Sequence, residues 1–92
     1  MAVTINASTT AGLVQTADTS GVLALQTAGT TAVTVDASQN VTLAGTLTTT
    51  GVTTFQAGTA ALPAITTTGD TNTGIFFPAA DTIAFSEGGA GL

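Results

Sequence analysis

Ninety-two residues with five acids and no lysine, arginine, histidine or cysteine make an acidic, disulfide-free chain of one small domain at most. Phosphate backbones and anionic bilayers would repel it, so nucleic-acid and membrane-surface partners are excluded in expectation. No apolar run approaches the roughly 20 residues that cross a bilayer, and Met1–Asn6 has neither a basic nor an apolar signal region, so no leader is expected.

In chain order, Val3 and Ile5 alternate with Thr4 and Asn6 as a first short strand. Ser8–Gly12 reads as a turn, Leu13–Thr16 as a second strand, and Asp18–Gly21 as the connection that closes it. Val22–Thr27 sets Leu23 and Leu25 on one face, and Ala28-Gly29-Thr30 turns the chain. Thr31–Val35 then places Val33 and Val35 together. Asp36–Asn40 is a polar turn, and Val41 and Leu43 continue the apolar face beyond it. Gly45 and Gly51 bracket a threonine-rich segment, and Val52–Gln56 is predicted as a strand anchored by Phe55.

Ala61–Gly89 concentrates three of the five acids, three of the four phenylalanines and both prolines. Here an extended run, Ala64–Thr67, leads to a polar turn predicted over Gly69–Gly74. The apolar block Ile75-Phe76-Phe77 is stopped by Pro78. From Asp81, Ile83 and Phe85 share one face, with Thr82, Ala84 and Ser86 on the other. About ten short strands are expected in all, and the 23 threonines suit them because a branched Cβ favours extended backbone. No exact repeat supports a regular solenoid.

The run "PAITTTGDTNTGIFFPAADTIAFSEGG" resembles a module of tail-fibre and virion appendage proteins of tailed bacteriophages, of the cyanophage or marine-phage type. The matching residues are Pro63, Ile65, Gly69 to Phe76, Pro78, Ala80, Asp81, Ile83 to Ser86, Gly88 and Gly89. Leu25–Gly51 is similar to a second, looser pattern of the same proteins. In larger relatives more chain usually follows the final Gly-Gly, whereas this sequence stops at Leu92, which turns the expectation towards a short appendage. The resemblance implies a virion location, with assembly in the host cytoplasm, and other virion proteins of capsid or tail as partners.

Composition independently points to oligomerisation. The apolar fraction of 43% is rich in alanine, large apolar side chains are sparse, and a monomer of this size would be marginal. The fold class expected is therefore all-β with short strands and tight turns, built as an intertwined homotrimeric β-prism or irregular β-helix. Small Ala and Thr side chains would face its axis, with larger ones packing between walls. Residues 1–60 would form an N-terminal β region serving as an attachment end and residues 61–92 the fibre-like module, as one continuous folding unit.

Catalysis lacks reagents. There is no histidine, cysteine or lysine, and only Asp70, Asp81 and Glu87 offer a carboxylate pair, all three at turns. No enzymatic role and no cofactor are expected. Asp36-x-Ser38-x-Asn40 and Asp70-x-Asn72 space oxygen ligands as calcium loops do, but lack the glycine and distal glutamate of an EF-hand, and Asx-turns account for both. No metal site is assigned. The candidate interface or trimer-core residues are Ile65, Ile75, Phe76, Phe77, Ile83 and Phe85. The alternative function is a surface-recognition module for a host-surface glycan or for ice, with threonine rows at Thr46, Thr48 and Thr50 and at Thr66 and Thr68.

Overall fold

A computed structural model describes residues 2–92, and among these the chain forms nine strands and no helix. It divides into two compact units, one ending at Thr48 and one beginning at Thr49. The all-β expectation holds.

The first unit is a five-stranded sheet of β1 (Val3–Ala7), β2 (Leu13–Thr16), β3 (Leu23–Thr27), β4 (Thr30–Val35) and β5 (Val41–Leu43), in the order β2-β1-β3-β4-β5. All neighbours are antiparallel except β1 and β3, which run parallel with Ile5 beside Leu25. The β1–β2 turn is held by Ser8, whose Oγ accepts from the N–H groups of Thr10 (3.0 Å) and Ala11 (2.8 Å). Ala28 and Gly29 both take positive φ, 50° and 77°, as a two-residue primed hairpin turn requires. Gly29 N–H is then caught by Asn6 Oδ1 at 2.9 Å, which ties that hairpin to β1.

Asp36 organises the β4–β5 turn. One carboxylate oxygen, Oδ1, accepts from the N–H groups of Ser38 (2.9 Å) and Asn40 (3.0 Å), and Asn40 Nδ2 donates to the other at 3.3 Å. This is the Asx-turn expected from the sequence. The Asn40 backbone bond does most to hold the Asp36 carboxyl below its ordinary range, and Asp18 is lowered likewise by the Ser20 side chain and N–H. A carboxyl whose pKa is depressed by folding contributes stability above its unfolded value, near ~3.9, and loses it as pH falls through the folded one. The protection of the Gln39–Leu43 amides, their exchange rate set against the intrinsic rate at each pH, should therefore fall below about pH 4. In Asp36→Ala that protection should be low already at neutral pH and should fall no further on acidification, as hydrogen exchange read by NMR would report.

The second unit is a four-stranded antiparallel sheet of β6 (Ile65–Thr67), β7 (Asp70–Phe76), β8 (Ala84–Glu87) and β9 (Ala90–Gly91), in chain order. Its inner face is covered by its own chain. Phe77 N–H donates to Ala57 O (2.8 Å), Gly58 bridges Pro63, and Leu62 N–H is caught by Thr59 Oγ1 (3.0 Å). Phe76 and Ser86 are buried here. A β-carbon built on Gly91 would stand 3.9 Å from Phe76 Cζ and 4.0 Å from Ala60 Cβ, which locates the Ala60 loop over this face. Ser86 Oγ meets no donor or acceptor among the described residues, at a cost on the order of 1–3 kcal/mol.

Three expectations are corrected. Val52–Gln56 forms no strand, and Val52 and Phe55 lie exposed; with no partner strand in register, threonine propensity alone does not make a ladder. The chain turns at Thr68-Gly69, not across Gly69–Gly74, because Gly69 at φ 83° reverses it within two residues and frees Asp70–Gly74 to join β7. Thr46–Thr50 also forms no strand, so the proposed threonine row there is not a row on a sheet, and Thr68 lies in the turn rather than beside Thr66 in β6.

Candidate functional site

Strand alternation and register sort the first sheet into two chemically distinct faces. Ile5 stands beside Leu25, Leu25 opposite Val33, and Val33 opposite Leu43; Val3, Leu23, Val35 and Val41 form the next row in the same way. Leu13 opposes Ala7 and extends this face to the β2 edge. It carries no ionisable group. It is also substantially open: Leu13 is 67% exposed, Val41 61%, Leu43 40%, Leu25 39% and Ile5 37%. A globular domain of this size would cover such a row of aliphatics. These aliphatics, which are not among the candidate interface residues read from the sequence, make an open apolar face on the first unit.

The opposite face is a hydroxyl surface. Thr16, Thr4, Ala24, Thr34 and Thr42 form one cross-strand row, with Thr4 opposite Thr16 and beside Ala24, and Thr34 opposite Ala24 and Thr42. Ala24 is only 3% exposed because its taller neighbours wall it in. The result is a trough of about 430 Å³ lined by Ala2, Thr4, Thr16, Ala24, Gln26, Thr31 and Thr34. Gln26 Nε2 donates to Thr31 Oγ1 at 3.0 Å, which leaves the amide oxygen to the trough.

In the second unit the candidate residues divide between faces. Phe76 pairs with Ala84 and is buried on the inner face, in its own unit's core. Ile65 pairs with Ile75, and Ile75 with Phe85, on the outer face. Ile65 and Ile75 are half-buried, Phe85 is 52% exposed, and Ile83, just before β8, is 67% exposed. Phe77, after β7, is half-buried. Leu92 joins the outer face through its N–H bond to Phe85 O (2.9 Å) and is 80% exposed. A groove of about 240 Å³ runs between Thr73, Ile75, Phe85, Glu87 and Leu92. Two positions after Phe85, Glu87 shares its face.

The carboxylates do not converge on a common cluster: among the described residues no group of three or more acids, histidines or cysteines is placed to hold a metal. Asp36 is engaged by its turn, and Asp81 sits at φ 60° in the Pro78–Thr82 bend. Comparison with protein-family models, with curated proteins and with solved structures finds no match.

Proposed function

We propose that this chain is a structural virion protein of a tailed phage, a small homotrimeric β spike, capsid decoration or short fibre without catalytic activity or cofactor. The observation that carries the assembly part is the uncovered aliphatic face of the first sheet. Each CH₂ removed from water there contributes about 0.8 kcal/mol, and the face holds no charge that burial would penalise. Three such sheets can stand as the walls of a prism with their aliphatic faces turned inward, which reverses the expectation that small residues line the axis. The phage assignment rests on the resemblance over Pro63–Gly89, whose residues build β6, β7 and β8.

Light scattering of the purified chain tests the assembly. The expected species has a mass near three times 8.8 kDa, and a folded monomer would overturn the reading. Immunolabelling of virions tests the location, and label on neither capsid nor tail would sink it.

The hydroxyl trough favours a second reading, recognition of a neutral glycan. Its threonine hydroxyls and Gln26 amide offer donors and acceptors without charge, and Ala24 gives a flat apolar floor. The ice-binding variant has less support, since Ala24 interrupts the single threonine row and the parallel row holds Asn6 and Gln26.

A further inference from the structure

The two open apolar faces differ in one respect that decides what each can meet. The β1–β5 face is free of ionisable groups, so a second copy of itself meets it without electrostatic cost. The β7–β8 face carries Glu87 in the lining of its groove, together with Phe85 and Leu92. A copy of this chain has no lysine, arginine or histidine to offer Glu87, and its remaining side-chain charges are all negative. Bringing copies together on this face sets carboxylate near carboxylate as water is removed.

We infer that the Ile75–Phe85–Leu92 groove is the seat of a different protein, one presenting an arginine beside a leucine or phenylalanine. The apolar side chain fills the groove against Ile75 and Phe85, and the guanidinium pairs with the Glu87 carboxylate in its lining. Arginine suits the position because its planar fork engages both carboxylate oxygens and it is weakly hydrated for a cation. Thr73 closes the groove wall, held in place by the Gly88 N–H donated to its Oγ1 at 3.0 Å. The exposure of Phe85 and Leu92 leaves apolar surface open to such a contact. This rests on the proposed reading only in taking the partner to be another protein of the same particle.

Three peptides probe the groove: N-acetyl-Gly-Leu-Arg-Phe-Leu-Gly-amide and its counterparts with glutamine or glutamate in place of arginine. Titrated into the full chain and followed by amide shifts, the arginine peptide should bind about two- to fivefold more tightly than the glutamine one. The glutamate peptide should bind most weakly. Shifts should centre on Thr73, Ile75, Glu87 and Leu92. Glu87→Gln should erase the arginine preference without weakening the glutamine peptide, and Phe85→Ala should weaken all three. Equal binding of the three peptides, shifts centred on the first sheet, or no binding at millimolar peptide would each overturn the inference. A trimer that ignores the peptides refutes this proposal alone, whereas a monomer that binds them refutes only the proposed assembly.

Discussion

On the proposed assembly, Leu25→Asp is expected to leave the chain monomeric at concentrations where the parent would be trimeric. Leu25 sits at the centre of the aliphatic face, beside Ile5 on one strand and opposite Val33 on the other. An aspartate there would have to be carried into the seam without a partner, since no cationic side chain exists in any copy. An unpaired buried charge costs several kcal/mol, so association should weaken by at least about a hundredfold per seam. Thr42→Asp is the matched control. It adds the same charge to the same sheet, but on the hydroxyl face and at an exposed edge position. It should assemble as the parent does. Light scattering and sedimentation across a concentration series would read both, and equal dissociation of the two variants would mean that added charge, not the face, is responsible.

This contrast of faces was legible in the sequence only in pieces. Leu23 with Leu25, and Val33 with Val35, follow from strict alternation, and Asp36–Asn40 from the capacity of Asp and Asn to bond their own backbone. Alternation fixes which residues share a face within a strand, but not which faces of different strands coincide. That is decided by register, and the parallel pairing of β1 with β3 is a non-local choice no short window contains. The same limit explains the second unit. Alternation separates Phe85 from Ala84 and Ser86, yet side-chain size says nothing about which set faces inward. The inner side went to Ala84 and Ser86 because Phe76 and the Ala60 loop already fill the space above them. Glu87 gains its significance from sharing a groove with Phe85 and Leu92.

Gly74 is where the second unit should prove most fragile. Thr66 pairs with Gly74, whereas the next residue of β6, Thr67, pairs with Asp70, so β7 spends three extra residues, Thr71 to Thr73, against a single step of its neighbour. This bulge draws the β6 main chain tightly over Gly74. A β-carbon placed there would stand 1.8 Å from Ile65 O and 2.9 Å from Ile65 C, both main-chain atoms that no side-chain rotation can move. Gly74→Ala must therefore push β6 away from β7 and break the Ile65–Ile75 pairing beside it. Overpacking of this kind costs about 3 kcal/mol or more, a large share of what a small unit has to lose. Amides of β6, β7 and β8 should lose protection from exchange together. Gly51→Ala, with nothing within 4 Å of its added methyl, should leave the exchange pattern unchanged. If Gly74→Ala exchanged as slowly as the parent, β6 would not be seated on β7 as described, and the outer face built on Ile65, Ile75 and Phe85 would have to be redrawn.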